Sequence, residues 1–216
     1  MRTGIAALPA LRRAAVRLLA AVGWLCVACS AQAADLAVAI TDSSGHPVAD
    51  AVVVAEVTGR AAPAPQEVVI SQHDMMFMPF VTVVPVGSTV VFTNLDPFRH
   101  HVYSFSPARR FEIKLFGAGE RRSVRFDQAG LVAVGCNIHD QMQAFVRIVD
   151  TPFAVKSDAA GRLTLRGLPN GALRLRVWHP YLRAPGNEMI VPVAAGTATL
   201  PLSLRLRRPA PIQHGY

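Results

Sequence analysis

The chain has 216 residues, half of them apolar, and a formal net charge of +8 at pH 7. Its length suffices for one large or two small domains whose cores need no disulfide or metal to hold them together. The 22 basic residues fall to 18, against 14 acidic ones, once four arginines of the first 17 residues are set aside. This near balance argues against a nucleic-acid partner.

The first 33 residues have the pattern of a secretory signal peptide. A short apolar run at residues 18–27 precedes Ala31-Gln32-Ala33, a small-residue cleavage site, and it follows four basic residues: Arg2, Arg12, Arg13 and Arg17. We therefore expect a periplasmic protein, and no later segment is long and uncharged enough to span a membrane. Two less well supported interpretations are a twin-arginine signal at Arg12-Arg13 and a lipid-modified Cys29.

Cysteine is scarce in the mature chain. Cys26 and Cys29 leave with the signal peptide, so Cys136 remains as the only thiol and no intrachain disulfide is expected. The pair Cys26 and Cys29 is followed by Ser30, which excludes the Cys-x-x-Cys-His motif of a c-type haem. An iron–sulfur cluster normally needs four cysteines.

The residues after the signal predict a β-hairpin. Residues 36–40 form an apolar strand, residues 42–47 carry turn chemistry, and residues 51–57 form a second strand dominated by valine. Residues 59–66 contain Gly59, Pro63 and Pro65 and indicate a linker, with a domain boundary near residue 66.

Between residues 68 and 149 the sequence predicts an antiparallel β-sandwich. Short strands recur at even spacing, and turn residues such as Asp96-Pro97 and Gly117-Ala118-Gly119 separate them. The predicted strands are residues 68–71, 81–85, 89–94, 101–105, 123–126, 131–136 and 144–149.

The strands resume after Thr151-Pro152 with a different pattern. Residues 162–166 and 173–178 alternate apolar and polar side chains around the turn Pro169-Asn170-Gly171, which indicates one buried and one charged face. Residues 191–206 predict one or two further strands, and residues 207–216 a flexible tail. The fold class expected for the whole chain is all-β.

The two flanking parts resemble the halves of a carboxypeptidase regulatory-like domain, a small transthyretin-like β-sandwich. The first half has Gly45-x-Pro47-Val48-x-x-Ala51-x-Val53, and the second has Ser157-Asp158-x-x-Gly161 followed by Gly167-Leu168-Pro169-x-Gly171. The resemblance implies a domain of residues 34–66 and 151–206, interrupted by an inserted domain of residues 67–150. The alternative is that residues 151–206 fold alone and residues 36–57 join the central sandwich.

A group of metal-ligating residues follows the strand at 131–136. Cys136, His139 and Met142 place a thiol, an imidazole and a thioether within seven residues, and His100 supplies a second imidazole at the head of an earlier strand. Thiolate, thioether and imidazole together suit copper, and two His, one Cys and a distant Met make a blue-copper site. A zinc site would not explain the presence of Met142. The simplest alternative to any metal site is that Cys136 is a buried core thiol and that His139 is nearby by chance.

Residues 68–149 resemble a cupredoxin, a blue-copper protein of the amicyanin and plastocyanin kind, throughout their length. The pattern is Phe77-x-Pro79, Gly87-x-x-Val90-x-Phe92-x-Asn94-x-Asp96-x-x-x-His100-x-Val102, Phe126-Asp127-x-x-Gly130 and Cys136-x-x-His139-x-x-Met142. The run at residues 101–106 is similar to a periplasmic group labelled methylamine utilisation proteins. The resemblance implies a Greek-key sandwich, one copper ion per chain held by His100, Cys136, His139 and Met142, single-electron transfer, and transient docking with periplasmic redox proteins.

Several residues near the predicted site have open roles. Only one of His100 and His101 can face the site, because neighbouring strand residues point to opposite faces, and we choose His100. We expect His101 to support the ligands or to lie on the surface. The resemblance also implies that His139 lies near the surface under an apolar patch, to which Pro97, Phe98 and Met142 would contribute. A basic rim that steers an acidic partner would be formed by Arg99, Arg109, Arg110, Lys114, Arg121, Arg122 and Arg125.

Other function classes are less well supported by the sequence. The main alternative is a non-redox copper chaperone or buffer. A second soft copper site could be formed by His73, Met75, Met76 and Met78, but we interpret these methionines mainly as packing or exposed loop residues. A copper oxidase or nitrite reductase would need paired His-x-His motifs, and the sequence has none, so we do not expect an enzyme. A scaffold role for the flanking domain is the third candidate.

Overall fold

The computed structural model describes residues 33–207. The proposed signal peptide up to residue 32, with Cys26 and Cys29, and the tail at residues 208–216 lie outside the described residues. Within residues 33–207 the secondary structure consists of strands and one short 3-10 helix, Pro185–Asn187, so the all-β prediction is confirmed. The strands are β1 (Ala34–Asp42), β2 (Val52–Ala55), β3 (Glu67–His73), β4 (Met76–Met78), β5 (Val81–Pro85), β6 (Ser88–Asn94), β7 (His100–Ser104), β8 (Phe111–Phe116), β9 (Arg121–Phe126), β10 (Gly130–Gly135), β11 (Gln143–Val149), β12 (Ala154–Lys156), β13 (Arg162–Leu168), β14 (Leu173–Trp178), β15 (Glu188–Val193) and β16 (Thr199–Leu204).

Strands β3 to β11 form two sheets around one core. One sheet has the order β5-β11-β10-β7-β8 and the other β4-β3-β6-β9. Phe77, Phe92, Phe116 and Phe126 are almost fully buried between them, and the rings of Phe77 and Phe92 meet edge to face with centroids 6.3 Å apart. Burial of these large apolar side chains drives the two sheets together.

The remaining strands form a second pair of sheets from both ends of the described chain. Their orders are β13-β1-β16 and β12-β2-β14-β15. Strand β1 lies antiparallel to β13 and parallel to β16. Leu36, Leu165, Leu175 and Leu204 are buried in one apolar cluster between these sheets. Residues separated by more than a hundred positions in sequence therefore share a single core.

The predicted hairpin of residues 36–40 with 51–57 is wrong. The chain does turn back locally, since the N–H of Val48 donates to the carbonyl of Ile40 at 3.0 Å. Asp50 then has a positive φ of 61°, and the chain crosses to the opposite sheet, where β2 pairs with β12 and β14. The turn residues indicated a reversal correctly, but they do not determine which sheet receives the next strand.

Side chains from both pairs of sheets meet in a third apolar cluster. Val52, Val81 and Trp178 are fully or almost fully buried there, and the rings of Trp178 and Phe145 lie 5.5 Å apart. Lys156 adds a polar link, because its Nζ donates to the carbonyl of Val81 at 2.9 Å. The second sandwich is thus packed directly against strand β5 of the first.

Three short or irregular strands were missed by the sequence analysis: β4, β8 and β12. Residues 191–206 supply parts of two strands, β15 and β16. Across residues 33–207 no helix is both long and apolar enough to cross a membrane.

Candidate metal centre

Three of the four predicted ligands belong to one loop between β10 and β11. The loop is closed by its own backbone: the N–H of Cys136 donates to the carbonyl of Met142 at 3.2 Å, and the N–H of Met142 to that of His139 at 2.9 Å. The fourth, His100, begins β7, which lies antiparallel to β10. Because β7 and the loop are joined through one sheet, residues 36 positions apart meet at its end.

The structure brings the ligand atoms of His100, Cys136 and His139 within 4.8 Å of one another. The Cys136 Sγ lies 4.0 Å from Nδ1 of His100, and the two imidazole rings have centroids 5.1 Å apart. The His100 and Cys136 side chains are buried, His139 is half-buried, and Met142 is 2% exposed. One thiol and two imidazoles thus converge where water is largely excluded.

The environment of Nδ1 of His139 indicates whether these residues fit a metal ion. This nitrogen is buried and has no hydrogen-bond partner among the described residues. A buried polar atom without a partner costs free energy, and such atoms often mark an ion or water site. His139 belongs to a group that also holds a thiol and the imidazole of His100, and this donor set fits copper.

Asp96 orients His100. Its carboxylate accepts a hydrogen bond from Nε2 of His100 at 2.7 Å, and from the N–H groups of Asp74 and Met75 at 2.8 and 3.1 Å. Because a carboxylate only accepts, it keeps a proton on Nε2 and leaves the Nδ1 lone pair of a neutral imidazole facing Cys136. Burial raises the pKa of Asp96, but the hydrogen bonds from His100, Met75 and Asp74 outweigh it and hold that pKa below its usual value.

Asn94 supports the same loop, a role that the sequence analysis did not assign to it. Its Oδ1 accepts from the N–H of Asp96 at 2.9 Å, while its Nδ2 donates to the carbonyls of Phe98 and Phe116 at 2.7 and 3.1 Å. Asn94 and Asp96 together fix the segment that leads to His100. The sequence signal was the short polar spacing Asn-x-Asp-x-x-x-His, which was quoted for the resemblance to cupredoxins without a role being assigned to Asn94 or Asp96.

His101 does not belong to the group of converging ligand atoms. Its ring is buried, with Nε2 3.0 Å from a carboxylate oxygen of Glu112 on β8 and its centroid 5.7 Å from that of Tyr103. The expectation that His101 lies on the surface is therefore wrong, and a role in support of the ligands stays a prediction. Strand alternation sends His100 to one face and His101 to the other, where Glu112 pairs with it.

The surface beside His139 is apolar, but its composition differs from the prediction. Phe98 is 42% exposed, and its ring centroid lies 5.1 Å from that of His100 and 5.6 Å from that of His139. Ile138 is 47% exposed, whereas Met142 is almost fully buried and cannot contribute to an exposed patch. The prediction for Met142 was wrong on this point, because its side chain joins the core cluster of the sandwich.

The predicted basic rim is partly neutralised. On β9, Arg121 lies 3.7 Å from Glu67, Arg122 2.9 Å from Glu120, and Arg125 2.6 Å from Asp127. Within the described range the four other basic residues of the rim form no ion pair; they are Arg99, Arg109, Arg110 and Lys114. Of these four, Arg109 and Arg110 precede β8 at the end where Ser104 pairs with Phe111, which is opposite to the His100 end of β7.

Comparisons with known proteins give structural likenesses only. No family model matches the chain, and no curated protein matches it. A purple cupredoxin from Nitrosopumilus maritimus is 21% identical over 39% of this chain and 99% of its own, with a TM-score of 0.34. A mutant of amicyanin in its reduced form is 19% identical over 45% of this chain and 98% of its own, with a TM-score of 0.37.

A copper-containing nitrite reductase from Thermus scotoductus SA-01 also matches. It is 28% identical over 52% of this chain, with a TM-score of 0.37, and the match covers 28% of the reductase.

Proposed function

We propose that the protein is a periplasmic mononuclear copper protein that carries single electrons between redox partners. The observation that carries the proposal is the convergence of Cys136 Sγ with the ring nitrogens of His100 and His139 within 4.8 Å. Met142, buried in the same loop, is proposed as the fourth ligand. A copper ion held there would supply reversible one-electron transfer.

The protein supplies a site that changes little between two oxidation states. The loop is fixed by its backbone hydrogen bonds, and Asp96 holds the ring of His100 from behind. Side chains locked by packing and by hydrogen bonds keep a ligand set in one arrangement. We therefore propose that the rigidity of the β10–β11 loop and of the segment before β7 serves rapid electron exchange.

Electrons would enter and leave beside His139. His139 is the one half-buried member of the proposed ligand set, and exposed Phe98 and Ile138 provide apolar contact area next to it. A small apolar surface of this kind suits brief docking with periplasmic redox proteins. Arg99, the unpaired residue directly before His100, would favour acidic partners.

We further propose that residues 67–150 form a cupredoxin domain inserted into a regulatory-like domain of residues 34–66 and 151–206. Support comes from the two separate apolar clusters and from the sheet pairings, which join β1 to β13 and β16. In this arrangement the flanking sandwich supports the copper domain or docks a partner. The periplasmic location is inferred from the signal-peptide pattern of the sequence.

Protein-film voltammetry of the mature, copper-loaded protein tests the proposal. We expect a reversible one-electron wave that persists over repeated cycles, with copper content unchanged afterwards, and no wave from Cys136→Ser. Loss of copper upon reduction would refute electron transfer and favour the alternative, a non-redox copper chaperone or buffer. Gln143→Ala provides a matched control, because Gln143 is exposed and lies just beyond the loop.

A further inference from the structure

A β-hairpin next to the proposed copper centre carries soft donors that the centre does not use. It consists of β3 and β4, joined by Asp74 and Met75, which have positive φ values of 53° and 57°. Positive φ at both central residues is the geometry of a two-residue hairpin turn. In its register His73 lies opposite Met76, and Ser71 opposite Met78.

The register sorts the hairpin side chains into an inner and an outer face. Phe77 is 1% exposed and Gln72 is fully buried, whereas Met76 and Met78 are 48% and 49% exposed. The His73 side chain is 60% exposed. One imidazole and two thioethers therefore share the outer face, which we call the Met–His face: His73, Met76 and Met78.

These three side chains can reach a common ion. Directly opposed residues in an antiparallel pair have Cβ atoms about 4.5–5.5 Å apart, and diagonal neighbours about 7–8 Å. Met76 and Met78 are two residues apart on one strand, so their side chains leave on the same side. Methionine has three rotatable bonds, and its sulfur adapts to an irregular site.

The imidazole of His73 is available for such an ion. Its Nε2 lies 3.6 Å from Asp74, and its Nδ1 3.9 Å from Asp96. Both separations exceed the range of a hydrogen bond, so neither nitrogen is committed. The exposed thioethers have no comparable role in the core, since Phe77 alone fills the inner face of β4.

We propose that the Met–His face binds monovalent copper and passes it to the proposed centre. Thioether and imidazole ligands select Cu(I) over hard divalent ions. The two sites are adjacent, because Asp96 lies 3.9 Å from His73 and 2.7 Å from His100. Binding of Cu(I) at the Met–His face does not depend on the proposed function of the protein. Only the transfer of copper to the centre rests on that proposed function.

A site for a hard divalent ion at the same place is less well supported. Ligand atoms of His73, Asp74 and Asp96 do lie within 4.8 Å of one another. However, the Asp96 carboxylate already accepts three hydrogen bonds, from His100, Asp74 and Met75. An ion that took Asp96 would break contacts that hold both the hairpin turn and His100, so the outer face is the better site.

Silver titration of the mature full-length chain tests the binding step. Ag(I) is a diamagnetic substitute for Cu(I), and Cys136→Ser removes the thiolate of the proposed centre. We expect saturable shifts of the methyl resonances of Met76 and Met78 and of the His73 ring, with Met189 of the second sandwich unmoved. The double variant Met76→Leu/Met78→Leu should lose the His73 shift, and Met189→Leu should retain it.

Two results would overturn the binding proposal. One is that Met76 and Met78 do not move with Ag(I). The other is that Zn(II) shifts the His73 ring at lower concentration than Ag(I) does, which would indicate the carboxylate site instead.

The transfer step is tested with Cys136 intact. Buffered Cu(I) is added to the metal-free protein, and loading of the centre is followed through the backbone amide signal of Cys136. We expect Met76→Leu/Met78→Leu to slow loading while final occupancy is unchanged. An unchanged rate would overturn the transfer role. If the backbone amide signal of Cys136 never shifts although the signals of Met76 and Met78 do, the proposed copper centre is refuted and copper binding by the Met–His face is supported.

Discussion

Replacing Asp96 by Asn is the sharpest test of how the protein holds His100. The two carboxylate oxygens accept three hydrogen bonds, with Nε2 of His100 and the N–H of Met75 on one oxygen and the N–H of Asp74 on the other. An amide offers only one accepting oxygen. Whichever way it is oriented, its NH2 group faces at least one partly buried N–H group that it cannot satisfy.

Two magnitudes follow from this geometry. Loss of the partner that orients a metal-binding histidine typically lowers metal affinity 10- to 100-fold, so we expect Asp96→Asn to lose about 1.4–2.7 kcal/mol of copper-binding free energy. The unsatisfied donor should lower the free energy of unfolding of the metal-free protein by about 1–3 kcal/mol. Competition with a copper chelator measures the first, and urea unfolding the second.

Asp127→Asn is the matched control. Asp127 is also paired, with Arg125 at 2.6 Å, but both side chains are largely exposed. Exposed ion pairs contribute about 1 kcal/mol or less, so this variant should keep its copper affinity and nearly all its stability. Copper affinity in Asp96→Asn equal to that of the unsubstituted protein would refute the role assigned to Asp96.

Two further predictions concern the second sandwich. A Cβ on Gly161, whose φ is +70°, would collide with the carbonyl oxygen of Ile40, whereas one on Gly45, with φ +84°, would meet nothing within 4 Å. Gly45→Ala should therefore lower the free energy of unfolding by about 1–2 kcal/mol, for the left-handed backbone alone, and Gly161→Ala should lower it further. Urea unfolding measures both, and equal losses would contradict the packing of β1 against this turn. Burial lowers the pKa of His179 and outweighs the opposing effects of Asp50 and of the Ala49 backbone. The folded state therefore favours neutral His179. Its contribution to stability should be fully present above the usual histidine pKa of about 6.5 and should be lost as the pH falls below it. His179→Asn should flatten this part of the pH dependence of the free energy of unfolding, and an unaltered dependence would contradict the role of His179.

The strands that the sequence predicted well are those with valine-rich or alternating patterns between clear turn residues. β5, for example, was predicted with its observed bounds, Val81–Pro85. β8 was missed although residues 111–115 alternate apolar and polar side chains, which is the period of a strand. It is an edge strand of its sheet, and three of its six side chains are exposed.

The ligand cluster was accessible from sequence to the extent that it is local. Cys136, His139 and Met142 lie on one loop, so their proximity follows from their spacing, and His100 required the topology of a sandwich. The partnership of Asp96 with His100 was not predicted, because it depends on the conformation of a loop rather than on periodicity. The pairing of His101 with Glu112 depends in turn on β8, the strand that was missed.

The optical and electron paramagnetic resonance spectra of the Cu(II)-loaded mature protein, beside those of Cys136→Ser, test the central claim most directly. We expect an intense thiolate-to-copper absorption in the red part of the visible spectrum, and we expect it to be absent from the variant. A colourless protein that binds zinc, or copper without that band, would contradict it.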